Sequence, residues 1–144
     1  MKTRSYISFF SAAVVLLAAA AIAPRASRAQ AASDTPQVIE VTAKKYEYNP
    51  GVIRVKKGAK VELKFHALDK THGFKVSQFP DGADGKGDPG LAFTDYQSGG
   101  WKIEKDKDIT IQFVANQPGT YSFKCSQFCG MGHMGMKGQL VVEP

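Results

Sequence analysis

Apolar and polar side chains alternate in short segments through most of the chain after residue 36. Residues 61–66 read V-E-L-K-F-H, and residues 109–113 read I-T-I-Q-F. This two-residue period turns one set of side chains toward a core and the other toward solvent, which is typical of half-exposed β-strands. Tyr121 and Phe123 carry the same period into Cys125, so this cysteine is predicted on the core face at the end of a strand.

Turn signals separate these segments at short intervals. They include N-P-G at 49–51, K-K-G at 56–58 and N-Q-P-G at 116–119. No helical period of useful length occurs after residue 31. Many short strands with frequent turns predict an all-β fold, built as a β-sandwich of two sheets. The strands are predicted at residues 37–43, 46–48, 52–55, 61–66, 72–77, 109–113, 121–125 and 138–142.

Residues 79–100 lack this alternation and are predicted to form a long loop. Within it, residues 81–90 read D-G-A-D-G-K-G-D-P-G. A calcium-binding loop would need alternating oxygen ligands and a closing glutamate, and this segment has neither. Its composition favours a solvated surface loop, of the kind that can border a docking surface.

The beginning of the chain has the pattern of a secretory signal peptide. Lys2 and Arg4 precede an apolar run at 6–23, and small residues follow up to A-Q-A at 29–31. We predict cleavage after residue 31, with Ala29 as the second choice. Such a leader directs the protein to the periplasm.

The predicted organisation is therefore a signal peptide at 1–31, a polar linker at 32–36 and one domain at 37–144. The 113 residues after the leader are enough for a domain with its own core. The alternative is an uncleaved anchor on the outer face of the inner membrane, since the apolar run approaches the length of a membrane span. Arg25 and Arg28 directly after the run oppose that orientation.

The net charge of +6 comes largely from the leader. Lys2, Arg4, Arg25 and Arg28 are four of the 19 basic residues, whereas all 13 acidic residues lie after residue 31. The remaining region is close to neutral. No basic run in it is interleaved with aromatic side chains in the manner of single-strand nucleic-acid binders, so nucleic acid is not an expected partner.

The most informative segment is residues 125–136, C-S-Q-F-C-G-M-G-H-M-G-M. Its skeleton, C-x3-C-x3-H-x2-M, holds both cysteines and all three methionines that follow the leader. Thiolate and thioether are soft ligands that favour copper, and imidazole also suits this metal. The interspersed glycines let a short loop bend so that these side chains converge. A disulfide between the cysteines is the alternative in an oxidising compartment, and spacing alone leaves it open.

A metal site here requires a ligand from elsewhere, and the chain has only three histidines. His66 lies on the polar face of its predicted strand and is expected to be an exposed surface residue. His72 lies where a loop enters a strand. We predict that it is a ligand because the two-cysteine loop lacks a second imidazole. The alternative is a buried histidine satisfied by the backbone.

Two thiolates can each bridge two copper ions. Each copper would then have one imidazole, from His72 or His133, while Met136 and the carbonyl of Gln127 would add weak axial contacts. One electron shared over two nuclei changes the bonds little, which suits fast electron transfer. Such a closed site leaves no position for substrate, so electron relay is predicted rather than bond chemistry.

The motif T-H-G-F at 71–74 and the loop at 125–136 together carry a family resemblance. Over nearly all of residues 37–143 the chain resembles the copper domain of cytochrome c oxidase subunit II. The resemblance implies a cupredoxin fold, a Greek-key β-sandwich, with a binuclear CuA centre. Nitrous oxide reductase carries a similar domain. The copper ligands that the resemblance implies are His72, Cys125, the carbonyl of Gln127, Cys129, His133 and Met136.

Some features depart from this family. Subunit II usually begins with one or two membrane helices, whereas the apolar segment here looks removable. Gln127 stands where many members have an acidic residue, which matters little because its contribution comes through the backbone. The long loop at 79–100 puts docking to an oxidase core in doubt. Trp101 is the only tryptophan. In the family, an aromatic residue near the copper can serve as the electron entry point, but a packing role is the favoured interpretation for Trp101.

Four functions remain open from the sequence. The first is a CuA protein that relays electrons from a cytochrome-type donor to a redox acceptor. The second is the same domain as subunit II of a terminal oxidase, where cytochrome c oxidase activity belongs to the larger complex. The third is a periplasmic copper carrier that uses Met131 and Met134, two methionines that could otherwise form an apolar contact patch. The fourth is a mononuclear blue-copper protein in which Cys125 is spare.

Overall fold

A computed structural model describes residues 34–144. Ten β-strands and one short 3-10 turn, His133–Gly135, make up this region, which contains no α-helix. The strands are β1 (Gln37–Lys44), β2 (Glu47–Asn49), β3 (Val52–Lys56), β4 (Lys60–Ala67), β5 (His72–Val76), β6 (Leu91–Phe93), β7 (Trp101–Ile103), β8 (Asp108–Ala115), β9 (Gly119–Lys124) and β10 (Lys137–Glu143).

The strands form two five-stranded sheets, which confirms the predicted β-sandwich. The first sheet has the order β2-β1-β4-β8-β6, and the second has the order β3-β10-β9-β5-β7. Two neighbouring pairs are parallel, β1 with β4 and β3 with β10, and the other pairs are antiparallel. Because the chain passes repeatedly between the sheets, sequential strands often lie in different layers, as Greek-key connections require.

The core lies between the sheets and is built by the alternation seen in the sequence. Val61, Leu63 and Phe65 are buried, while the residues between them face outward. Aromatic rings fill the centre of this core. The ring of Phe74 lies 4.6 Å from that of Phe65 and 5.1 Å from that of Phe123, measured between centroids. Burial of such large side chains supplies much of the stability of a domain this size.

The prediction of an uninterrupted loop at residues 79–100 is wrong in part, because this segment contains β6. Strand β6 pairs with β8 at the edge of the first sheet, and β7, also unpredicted, pairs with β5 at the edge of the second. Both strands have three residues, which is too short for a two-residue period to stand out. Trp101 begins β7 and is buried against Phe74 and Phe93, as the packing interpretation predicts.

Residues 81–90 form an irregular, mostly exposed segment, in agreement with the predicted surface loop. Within residues 34–144 its aspartates do not gather into a group that could hold a metal ion. The same part of the chain has no helix long and apolar enough to cross a bilayer. The predicted signal peptide at 1–31 and the first residues of the linker lie outside the described residues.

Candidate metal centre

Strand β9 delivers Cys125 to one end of the sandwich, and the following loop returns to β10 at Met136. The backbone N–H of Cys125 donates to the carbonyl of Met136 at 3.0 Å, so the loop is closed at its base. The Sγ atoms of Cys125 and Cys129 lie 3.7 Å apart and both thiols are free. This distance far exceeds a disulfide bond of about 2.05 Å. The structure therefore favours two separate sulfur ligands over the disulfide alternative.

Two backbone groups hold the sulfur of Cys125 in place. The N–H of Gly73 donates to it at 3.3 Å, and the thiol donates to the carbonyl of Gln127 at 3.0 Å. The Gln127 carbonyl therefore points into the site, as its predicted role requires. Hydrogen bonds to a ligating sulfur are among the contacts that tune a metal centre.

His72 is the first residue of β5 and is fully buried. Its ligand nitrogen and the sulfurs of Cys125 and Cys129 all lie within 4.8 Å of one another. The Nε2 atom faces Oδ1 of Asp69 at 2.7 Å, whereas Nδ1 is buried without a hydrogen-bond partner. A buried polar atom without a partner is costly, and a metal ion bound there would remove that cost.

His133 and Met136 complete the cluster from the other side of the loop. Nδ1 of His133 lies 3.7 Å from Sγ of Cys129, and Sδ of Met136 lies 3.8 Å from the same sulfur. Met136 is fully buried, while His133 is partly exposed at the start of the 3-10 turn. The structure thus brings together all six residues that the sequence singled out.

His66 lies outside this cluster, on the outer face of the first sheet. Its side chain is 43% exposed and its Nδ1 pairs with Oδ1 of Asp108 at 2.6 Å. The expectation of a surface histidine is therefore confirmed, and His72 is the histidine from outside the loop that reaches the site.

Burial shapes the protonation of the groups in and around the cluster. Burial, together with the neighbouring Cys125, raises the pKa of the Cys129 thiol to about 11. Burial also raises the pKa of Tyr48 well above its usual range, with Cys125 as the second cause. The Tyr48 phenol therefore stays neutral and donates its proton to the carbonyl of Gly73.

Sequence reasoning did not identify three residues that support the ligands. Asp69 fixes the ring of His72, and the signal for it was the three-residue spacing between an acid and a histidine in one loop. Lys70 donates to the carbonyl of Cys129 at 2.8 Å. Tyr48 reaches the site from β2, and no local pattern in the sequence indicates that contact.

Burial opposes ionisation of Asp69, yet its hydrogen bonds lower the pKa of the carboxyl below its usual value. They come from His72 and from the backbone N–H groups of Lys45 and Lys70. Asp69 is thus a carboxylate at neutral pH and accepts the proton on Nε2. This fixes the tautomer of His72 and leaves the buried Nδ1 as the nitrogen free to bind a metal ion.

Apolar side chains surround the exposed edge of His133. Phe128, Met131 and Met134 are 80%, 94% and 88% exposed, and the ring of Phe128 lies 5.9 Å from that of His133. Neither methionine belongs to the buried cluster. Exposed large apolar residues, when they form a contiguous patch, are typical of surfaces that contact other molecules.

The donor set decides which metal this cluster suits. Two thiol sulfurs, one thioether and two imidazoles are soft or intermediate ligands, and soft sulfur donors select copper or zinc over magnesium or calcium. The set also includes a thioether and a backbone carbonyl, which are weak ligands. This distinguishes it from a structural zinc site, which uses four cysteine or histidine ligands. The residues present therefore fit copper.

Comparison with known proteins agrees with this geometry. The model of the cupredoxin-like domain family matches residues 12–142. Cytochrome c oxidase subunit 2 of Thermus thermophilus is 30% identical over 123 residues, which cover 83% of this chain and 78% of that one.

Two solved structures share the fold at low identity. A chain of a heme-copper terminal oxidase dimer has a TM-score of 0.55 at 20% identity, with 77% of this chain and 67% of that chain covered. Auracyanin A, a "blue" copper protein from Chloroflexus aurantiacus, has a TM-score of 0.54 at 16% identity, with 76% and 100% covered. From the matched domain and the identity to the Thermus protein together, the chain belongs to the cupredoxin-like family and is homologous to cytochrome c oxidase subunit 2.

Proposed function

We propose that the protein binds a binuclear, CuA-type copper centre and relays single electrons through it. The observation that carries the proposal is the pair of buried cysteine sulfurs, 3.7 Å apart and not joined in a disulfide, with the imidazoles of His72 and His133 close to them. A mononuclear centre needs one thiolate, whereas two thiolates and two imidazoles would together supply enough strong donors to hold two copper ions.

The surrounding residues determine what the centre does. When bound, the copper pair supplies one-electron redox chemistry. His72, the two cysteines and Met136 are buried and held by β5, β9 and β10, so the ligands move little when charge changes. His72 and both cysteines are almost completely buried, so little of the ligand set is open to a substrate. A rigid, closed ligand set favours electron transfer over catalysis.

Copper loading followed by electron paramagnetic resonance tests the proposal directly. We expect the loaded protein to bind two copper ions and to show hyperfine splitting from one electron shared equally by two copper nuclei. A spectrum from a single copper, with one cysteine still reactive toward a thiol reagent, would contradict the binuclear assignment. Rapid loss of copper to a chelator, without a stable mixed-valence colour, would instead indicate a copper carrier.

Replacing Asp69 by asparagine is expected to weaken copper binding about 10- to 100-fold. Partners that orient a ligating histidine typically contribute this much to metal affinity. The measurement is competition for copper against a chelator of known affinity. Asp108→Asn is the matched control because Asp108 also pairs with a histidine, His66, away from the site. An equal loss of copper affinity in both variants would show that Asp69 has no specific role in orienting His72.

Copper affinity is also expected to rise with pH across the neutral range. Because burial raises the pKa of Cys129 to about 11, this thiol keeps its proton at neutral pH and copper must displace it. Each proton displaced makes the apparent affinity rise about tenfold per pH unit below the pKa. Proton release measured in weak buffer during titration checks this, and pH-independent binding would contradict it.

The location and the partners follow from the same proposal. We propose export to the periplasm on the pattern of the leader. We also propose a cytochrome-type electron donor and a redox acceptor that can be an oxidase core, and homology to oxidase subunit 2 supports these partners. For the leader, amino-terminal sequencing of protein from a bacterial periplasm is expected to begin at residue 32. Recovery of uncleaved chains in the membrane fraction would favour the anchored alternative.

A further inference from the structure

Three lysines stand side by side on the outer face of the second sheet. Lys124 of β9 is paired with Lys75 of β5 on one side and with Lys137 of β10 on the other. All three residues are exposed. Lys124 directly precedes Cys125, and Lys137 directly follows Met136. These residues, here called the lysine row, therefore lie at the metal end of the sheet.

The lysine row concentrates positive charge at a cost to the fold. Like charges directly opposite each other on neighbouring strands repel and destabilise a sheet. Within residues 34–144, none of the three ammonium groups forms an ion pair. Lysines that do pair with a carboxylate are Lys44, Lys60, Lys102, Lys105 and Lys107. An anion bound across the three lysines would offset the repulsion between their positive charges.

The lysine row lines a groove of about 780 Å³. Tyr96 and Ser98, from the segment between β6 and β7, line it as well, and serine hydroxyls and an amide complete the polar surface. No carboxylate belongs to the lining. The carboxylate of Asp81 lies nearby, but it accepts hydrogen bonds from the hydroxyl and the N–H of Ser122. The lining of the groove therefore carries three lysines and no carboxylate, with the negative charge of Asp81 at its border.

We propose that this groove is the docking site for an extended acidic segment of the protein that exchanges electrons with the metal centre. The proposal rests on the proposed electron-transfer function and specifies the partner's chemistry. Neighbouring strands are about 4.8 Å apart, so the lysine row is about 10 Å long. One phosphate or carboxylate is too small to meet all three charges, whereas successive acidic side chains can. Opposite charge on the partner also speeds encounter.

Aromatic contacts connect the groove with the metal site. Tyr96, which lines the groove, lies 6.1 Å from Trp101 between ring centroids. Trp101 in turn lies 6.0 Å from Phe74, two residues after His72. A partner docked in the groove therefore contacts the first ring of a packed series that leads to the strand carrying a ligand. This position suits a redox partner better than a partner with no role in electron exchange.

The test compares two triple variants of the full, copper-loaded protein. In K75Q/K124Q/K137Q the lysine row is neutral, and in K56Q/K57Q/K64Q the same charge is removed from exposed lysines elsewhere. The probe is labelled hexaglutamate, with binding followed by fluorescence anisotropy at low ionic strength. We expect the lysine-row variant to bind hexaglutamate about tenfold more weakly, because each exposed ion pair contributes a factor of about two to the affinity. The affinity of the control variant is expected to change less than about twofold. Added salt is expected to weaken binding to the unaltered protein.

Electron exchange provides the second readout. Oxidation of the reduced protein by hexacyanoferrate(III), an anion, is expected to slow in the lysine-row variant and to stay unchanged in the control. Thermal unfolding of both variants checks folding, and relief of repulsion is expected to leave the lysine-row variant at least as stable as the original. An unchanged oxidation rate would overturn the assignment of the groove to a redox partner.

Other outcomes would overturn the acidic-segment proposal. Equal losses in both triple variants would show that net charge alone attracts hexaglutamate. Phosphate that competes as strongly as hexaglutamate would identify a small-anion site. If hexaglutamate does not bind and the protein instead binds phosphatidylglycerol vesicles through the lysine row, the groove is a membrane-binding site. If hexaglutamate does not bind and the protein self-associates through the lysine row, the groove is an interface with a second copy. The hexaglutamate titration can be repeated on copper-free protein, and electron paramagnetic resonance uses no peptide. Failure of the acidic-segment proposal can therefore be distinguished from failure of the proposed binuclear centre.

Discussion

Replacing Cys125 by serine is expected to abolish the proposed binuclear centre and reduce the copper content from two ions to one at most. The two sulfurs lie 3.7 Å apart, and both would be needed to hold two copper ions in the proposed centre. A serine hydroxyl is a harder and weaker ligand for copper than a thiolate. Copper analysis and electron paramagnetic resonance of the purified variant measure both effects, and the shared-electron signal is expected to disappear.

Ser126→Ala is the matched control for this experiment. Ser126 is the next residue in the same loop, and its hydroxyl has no hydrogen-bond partner in the described region. The control is expected to retain both copper ions and the original spectrum. If Cys125→Ser instead leaves a single-copper spectrum identical to that of the unaltered protein, the centre is mononuclear and Cys125 is a spare thiol.

Replacing Gly73 by alanine is expected to destabilise the fold by about 1–3 kcal/mol and to impair copper binding at the same time. A Cβ atom at this position would lie 2.7 Å from the backbone nitrogen of Gln127 and 2.8 Å from that of Ser126. Both neighbours are backbone atoms and cannot turn aside as the end of a flexible side chain would. The loop must shift, and the hydrogen bond from Gly73 to Cys125 would lengthen.

The same substitution at Gly135 separates this effect from a general loss of glycine. Gly135 lies in the metal loop, one residue before Met136, and a Cβ atom there would meet nothing within 4 Å. Thermal unfolding and copper titration of Gly135→Ala are expected to match the unaltered protein. If Gly73→Ala also binds two coppers with unchanged stability, the close approach of β5 to the loop is not a constraint on the site.

Much of the sandwich could be predicted because its long strands repeat apolar residues at every second position. The faces of β4, β8 and β9 follow the pattern, and Tyr121, Phe123 and Cys125 all point into the core. The strands that escaped prediction have three residues each and owe their conformation to pairing with a neighbour. Such pairing is a tertiary effect, so β6 and β7 leave almost no local signal.

The candidate site was predictable in its chemistry and less so in its support. The ligand residues cluster within residues 125–136, so their types and spacing alone indicate a soft metal. His72 required the argument that the loop lacks a second imidazole, and only the packing of β5 beside β9 shows that it reaches the sulfurs. The contact from Tyr48 to Gly73 spans 25 positions of the chain, and no spacing rule could have found it.

The hairpin that carries most of the ligands is closed at its base by pairing of Lys124 with Lys137 and by the hydrogen bond from Cys125 to Met136. Only His72 comes from a framework strand outside this hairpin. In the proposed centre, changes within residues 125–136 would therefore alter most of the ligand set, while the two sheets and the imidazole of His72 stay in place. Such changes must still fill the same space, because Cys125, Cys129 and Met136 are also part of the hydrophobic core.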